Sequence, residues 1–63
     1  MKGYHKGIAW EVRRNDGPLG GFSAFVEFNG RMERIGWASG TRGAQRIAKE
    51  RCGVYAAKKG GAS

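Results

Sequence analysis

The chain has 63 residues and a net charge of +7, from twelve lysines and arginines against five aspartates and glutamates. A chain of this length forms one domain that buries roughly 60% of the surface its unfolded state exposes, which argues against a deep catalytic cleft. Its single cysteine, Cys52, excludes an intrachain disulfide, and no stretch approaches the roughly 18 apolar residues of a membrane span. These features predict a cytoplasmic, non-enzymatic protein without a membrane partner.

The first predicted strand covers residues 7–14, where apolar and polar side chains alternate. Ile8, Trp10 and Val12 share one side, which is the pattern of a strand buried on one face. The segment 15–18 (Asn-Asp-Gly-Pro) follows and predicts a turn, because Asp-Gly tolerates positive φ and proline interrupts strand pairing.

Two further strands are predicted, over residues 22–28 and 31–37. The Asn-Gly dipeptide at 29–30 joins them and is typical of a type I′ hairpin turn. The alternation in the second of these strands is less regular and indicates a bulge near Gly36. Phe25 interrupts the polar face of its strand. An aromatic ring there can stack on a base, anchor a protein partner or pack under the 15–21 loop.

A helix is predicted after the Ser-Gly-Thr segment at 39–41, with Ser39 or Thr41 as the N-cap. Gly53 either ends this helix or weakens it by about 1 kcal/mol. The apolar positions follow helical spacing and form one stripe: Ala44, Ile47, Ala48, Cys52 and Tyr55.

Together these elements predict an α+β domain in which a three-stranded antiparallel sheet packs on one C-terminal helix, in the order βββα. Because no other element is available, the helix must cover the face that carries the apolar residues of the first two strands. The opposite face is therefore expected to stay open. The domain is expected to extend over residues 1–59, with a flexible tail at 60–63.

The positive charge is distributed unevenly along the chain. Residues 41–63 hold six of the twelve cations and one acidic residue, Glu50. Such an excess favours a polyanionic partner, with nucleic acid first and an acidic protein surface second. A solvated surface that only keeps the protein soluble is the third interpretation.

Five short segments of the chain form a recognisable pattern: 6–10 (Lys-Gly-Ile-Ala-Trp), 22–26 (Phe-Ser-Ala-Phe-Val), 29–31 (Asn-Gly-Arg), 35–36 (Ile-Gly) and 44–48 (Ala-Gln-Arg-Ile-Ala). This pattern resembles APETALA2-type domains, the ethylene-response-factor domains of plants and their relatives beside phage homing nucleases. The resemblance covers about residues 4–52, and the arm-binding domains of tyrosine integrases share the same three strands and helix.

The resemblance implies that the open sheet face enters the major groove of DNA. Glu11 and Glu27 stand where this family prefers arginine, whereas Arg13 and Arg34 keep the basic character. The positions that match the family's binding face are Ala9, Glu11, Arg13, Ser23, Phe25, Glu27, Met32 and Arg34.

The predicted function is binding of double-stranded DNA, which would make the protein nucleoid-associated. A weaker likeness to the second half of double-stranded-RNA-binding domains favours RNA, and the acidic residues of the sheet favour a protein-interaction module such as a small regulator or inhibitor. The candidate nucleic-acid-binding residues lie on the sheet face, in its neighbouring loops and on the helix: Arg13, Phe25, Arg34, Arg14, Arg31, Arg42, Arg46 and Lys49.

No catalytic or metal site is predicted. His5 is the only histidine and falls in an N-terminal segment that is expected to be mobile, and Cys52 is expected to be a buried structural thiol. One histidine and one cysteine do not form a zinc site. The glycines form neither a P-loop nor a dinucleotide-binding fingerprint, so no cofactor or small-molecule substrate is expected.

Overall fold

A computed structural model describes residues 1–61 and the side chains of residues 1–58. In these residues the fold is α+β, with an antiparallel sheet covered on one face by a C-terminal helix. The strands pair in sequence order, each antiparallel to the next. The elements are β1 (Lys2–His5), β2 (Ile8–Arg14), β3 (Phe22–Phe28), β4 (Arg31–Ala38) and α1 (Thr41–Gly61).

The sheet has four strands in the described residues, so the prediction of three strands is wrong. Strand β1 pairs with β2 through a two-residue turn at Lys6 and Gly7, whose φ angles are 53° and 80°. Positive φ at both positions is the backbone of a type I′ turn, which Asn, Asp or Gly usually begins. Because the first turn position is a lysine, the sequence did not indicate this hairpin. His5 lies in a strand rather than in a mobile segment.

Gly3 allows β1 to pack beside Trp10. A Cβ atom on Gly3 would lie 2.6 Å from Cζ2 of the Trp10 ring, so only glycine leaves room for the indole. Trp10 is buried as a result, and its Nε1 has no hydrogen-bond partner among the described residues. The same glycine interrupts any alternation of apolar side chains in this short strand.

The core lies between β2, β3 and α1, and the helix contributes only small side chains to its fully buried part. The buried apolar residues are Ile8, Trp10, Val12, Ala24, Val26, Ala44, Ala48 and Cys52. Small side chains on the helix bring its axis close to the sheet, which explains why β4 carries a glycine beneath it.

A register shift in β4 allows the helix to lie close to this strand. Ala24 pairs with Gly36, whereas Phe25 pairs with Arg34, so Ile35 is the extra residue of a bulge. The bulge predicted near Gly36 is confirmed. A Cβ atom on Gly36 would lie 2.9 Å from Cγ2 of Ile47, and the strand therefore contacts the helix through its backbone at this point.

The helix begins at Thr41 and continues through Gly53. The Ala44 amide donates to the Gly40 carbonyl at 3.1 Å, so Gly40 occupies the N-cap position rather than Ser39 or Thr41. Gly53 does not end the helix, whose described backbone extends to Gly61. The tail predicted at 60–63 lies partly outside the described residues and stays a prediction.

Gly53→Ala is expected to raise the free energy of unfolding by about 0.5–1 kcal/mol, because alanine restricts the unfolded chain and favours the helix. The nearest atom to the new Cβ would be Lys6 Nζ at 4.0 Å, which is ordinary contact. The matched substitution Gly36→Ala is expected to lower the same free energy by about 1–3 kcal/mol, since the methyl group would press on Ile47. Urea unfolding at constant m value measures both, and equal effects of the two substitutions would contradict the close packing at Gly36.

Burial raises the pKa of the Cys52 thiol, which donates to the Ile8 carbonyl at 3.6 Å. The unfolded chain releases this proton near pH 8.5, whereas the folded chain retains it to higher pH. The contribution of Cys52 to stability is therefore complete below about pH 8.5 and declines as the pH rises. We expect the difference in unfolding free energy between the wild type and Cys52→Ala to shrink from pH 8 to pH 10 in urea titrations. A difference that stays constant would contradict this prediction.

Candidate functional site

The face of the sheet opposite the helix is uncovered by any element of the described residues, and we call it the open face. Strand register extends the predicted face by three residues: Lys2 lies beside Glu11, Tyr4 beside Ala9, and Trp37 beside Ser23. The open face consists of Lys2, Tyr4, Ala9, Glu11, Arg13, Ser23, Phe25, Glu27, Met32, Arg34 and Trp37.

Three large side chains on the open face are exposed to solvent. Tyr4 is 80% exposed, Trp37 43% and Met32 41%. Tyr4 lies on one edge strand, whereas Met32 and Trp37 lie on the other, so the exposed side chains are spread across the face. Exposed aromatic rings on an uncovered sheet are candidate contacts for a ligand or a partner. Lys2 and Arg34 belong to the cross-strand row between those of Tyr4 and Trp37, and Arg13 belongs to the row of Trp37.

Arg13 lies between an acidic residue and an aromatic ring. Its Nε donates to Glu11 Oε2 at 2.7 Å and its second guanidinium nitrogen to Oε1 at 3.3 Å, and these bonds lower the pKa of Glu11. The Arg13 Cζ lies 5.1 Å from the centroid of the half-buried Phe25 ring. The charge of Arg13 is thus balanced by Glu11, and its guanidinium is held against an aromatic face.

Arg34 is anchored by one nitrogen and keeps the rest of its guanidinium available. Its Nε donates to Ser23 Oγ at 3.1 Å, and this buried hydroxyl donates to Asn15 Oδ1 at 2.7 Å. Among the residues whose side chains are described, the terminal NH2 groups of Arg34 have no partner. A planar guanidinium fixed in this way suits bidentate contact with a base edge or a phosphate.

The 15–21 loop folds toward the open face and fixes Trp37. The indole Nε1 donates to the Gly20 carbonyl at 3.0 Å, and the side-chain Nδ2 of Asn15 donates to the same carbonyl at 3.3 Å. A concavity of about 610 Å³ lies between loop and sheet, lined by Pro18 and Leu19 from the loop and by Phe25, Arg34 and Trp37 from the sheet. The Phe25 ring therefore lies against Arg13 and also lines this concavity.

Two candidate residues of the strands do not lie on the open face. Arg14 pairs with Phe22 and Arg31 pairs with Phe28. Phe22 and Phe28 are the two end residues of β3, and their side chains lie on the helix-covered face. Both arginines are exposed, but they point to the other side of the sheet from Arg13 and Arg34. They are therefore matched controls for any role of the open face.

A second charged surface lies between the β1–β2 turn and the helix, and we call it the basic cleft. It has a volume of about 930 Å³, and its four cations are Lys6, Arg42, Arg46 and Lys49. Glu50 is the only acidic residue that lines it. The sequence predicted the three helical cations, but Lys6 joins them only because β1 pairs in the sheet.

The described residues contain no group of three or more His, Cys, Asp or Glu side chains that could hold a metal ion. Glu33 belongs to the helix-covered side of the sheet, because it pairs with Val26, so it lies apart from Glu11 and Glu27. No helix in the described part of the chain combines the length and apolar character that crossing a membrane requires.

Gly21→Ala is expected to displace Trp37. Gly21 has a φ of 74°, and a Cβ atom there would lie 2.5 Å from the Trp37 ring. Gly20→Ala is the matched control, since its φ is 62° but no atom lies within 4 Å of its Cβ position. The strained backbone costs about 1–2 kcal/mol in each variant, and only Gly21→Ala should also change the emission of Trp37. Equal emission spectra would contradict the contact between Gly21 and Trp37.

The sequence matches no protein-family model, and comparisons with curated proteins and with solved structures find no match. The resemblance to APETALA2-type and integrase arm-binding domains stays a prediction. A functional assignment depends on the chemistry of the open face and of the basic cleft.

Proposed function

We propose that this domain binds nucleic acid, with double-stranded DNA as the first ligand, and that the open face is the recognition surface. The observation that carries the proposal is the combination of exposed Trp37 and Tyr4 with the anchored Arg34 on an uncovered sheet. Strands can enter the major groove, where base edges present a distinct pattern for each pair.

The residues of the open face suit base contacts better than phosphate contacts. Arg34 offers free guanidinium nitrogens, which pair with the O6 and N7 atoms of guanine. Glu27 is exposed, and a carboxylate accepts from the N4 amino group of cytosine. The acidic residues that the family resemblance did not imply are therefore compatible with reading of bases, although each would repel a phosphate.

The competing function is a protein-interaction module that docks on an acidic protein surface. The concavity beneath the 15–21 loop favours this alternative, because Leu19 is 89% exposed beside Pro18 and Trp37. Exposed apolar and aromatic anchors of this kind are common at protein interfaces. Nucleic acid remains our first proposal because the net charge of +7 attracts polyanions over the whole surface.

Trp37 is the tryptophan that a ligand on the open face can quench by contact, since Trp10 is buried on the helix-covered side of the sheet. We expect a short DNA duplex to quench Trp37, and the logarithm of the affinity to fall linearly with the logarithm of salt concentration. The slope should be about −0.9 for each phosphate that is neutralised. Lys2→Gln with Arg34→Gln should weaken this titration by about tenfold or more.

Arg14→Gln with Arg31→Gln removes the same charge from outside the open face and should change the quenching titration little. Equal effects of the two double variants would contradict recognition by the open face. No quenching at about 50 mM salt would contradict nucleic-acid binding there and favour a protein partner. Parallel titrations with duplex RNA and single-stranded DNA test the choice of ligand, and tighter binding of either would overturn the preference for duplex DNA.

A further inference from the structure

The basic cleft carries more uncompensated charge than the open face. Four cations line it against Glu50 alone, whereas the open face holds three cations against two carboxylates. Among residues 1–58, one ion pair has an N–O distance of 4.0 Å or less, and it joins Arg13 to Glu11 on the open face. The cations of the cleft therefore have no acidic partner within the part of the chain whose side chains are described.

The spacing of these cations matches a phosphate backbone. Arg42, Arg46 and Lys49 are four and three residues apart on one side of the helix, and at 1.5 Å per residue they span about 10 Å. That length corresponds to about three base pairs of duplex at 3.4 Å each. Lys6 faces them from the β1–β2 turn, with its Nζ 4.0 Å from the Cβ position of Gly53.

The lining of the cleft favours a phosphate backbone over an acidic protein. Besides its cations and Glu50, the cleft is lined by His5, Gln45, Gly43 and Gly53, and none of these is an apolar or aromatic anchor. Protein interfaces are depleted of lysine and enriched in aromatic residues at their centres. Phosphate contacts need only donors and positive charge, and they position a nucleic acid without reading its sequence.

The two surfaces lie on different layers of the domain. The helix packs against the covered face of the sheet, so the basic cleft belongs to the helix layer and the open face is directed away from it. A straight duplex that lies on the open face does not reach the cleft on the other side of the sheet.

We propose that the basic cleft binds the phosphate backbone of a second nucleic-acid segment, so that one domain bridges two duplexes. This inference rests on the proposed function of the open face. The open face supplies recognition, and the cleft supplies a contact that is independent of base sequence and sensitive to salt.

The test is a capture experiment with the full chain. A DNA duplex fixed to beads should retain a second, fluorescent duplex only when the protein is present, and the retained fluorescence measures bridging. Trp37 quenching by the free duplex measures binding at the open face in the same buffer. Arg46→Gln with Lys49→Gln should reduce retention by about tenfold or more and leave the Trp37 titration within about twofold of the wild type.

Arg51→Gln with Lys58→Gln is the matched control. These two cations also lie on the helix, but they flank Tyr55 at 5.8 and 5.9 Å from its ring centroid and do not line the cleft. Lys6→Asn tests the other wall of the cleft without disturbing the turn, because asparagine suits the positive φ at this position. It should lower retention as well.

The outcomes separate the two proposals. Quenching of Trp37 without retention by the wild type would overturn bridging and leave the proposed function standing. Equal retention by the two helix double variants would also overturn the inference, since bridging would then come from total charge or from a dimer that uses its open faces. Absence of both quenching and retention would overturn the two proposals together.

Discussion

The close approach of one helix to the sheet is the constraint on which the rest of the structure depends. Ala44, Ala48 and Cys52 are the fully buried side chains of the helix, and Gly36 lies beneath Ile47 without space for a Cβ atom. A domain of this size has few large apolar side chains to bury, so it gains packing density by bringing backbones together. The bulge at Ile35 in β4 makes this contact possible, because it directs both Ile35 and the Gly36 backbone toward the helix.

The same constraint determines where the protein can interact. A single helix covers one face of the sheet, and within the described residues no second element covers the other. The open face therefore retains exposed rings and the anchored Arg34, whereas the charge of the helix is left at its outer side and beside the β1–β2 turn. The sheet layer thus exposes aromatic and apolar side chains, and the helix layer carries most of the unpaired positive charge. This difference is the physical basis for proposing a different kind of ligand contact for each surface.

The 15–21 loop links core packing to the open face. The Gly20 carbonyl accepts from Trp37 and from Asn15, and the Asn15 side chain also accepts from the buried Ser23 hydroxyl. Since Ser23 in turn accepts from Arg34, the loop, the tryptophan and the arginine form one hydrogen-bonded network. Such a network holds two residues of the proposed recognition surface in fixed orientations, which would reduce the entropy lost on association.

The sequence by itself determined β2, β3, β4, the helix and the bulge near Gly36, because alternation, the Asn29–Gly30 turn and helical spacing are local patterns. It also predicted eight positions of the open face, since each strand directs alternate residues to one side. Strand β1 was missed because Lys6 begins its turn and because Gly3 makes room for Trp10, a residue seven positions away. The hydrogen bond from Trp37 to Gly20, the contact of Gly36 with Ile47 and the entry of Lys6 into the basic cleft were decided only by the tertiary structure. These features depend on strand register, side-chain contacts and helix docking, which join residues that are distant in sequence and leave no local pattern.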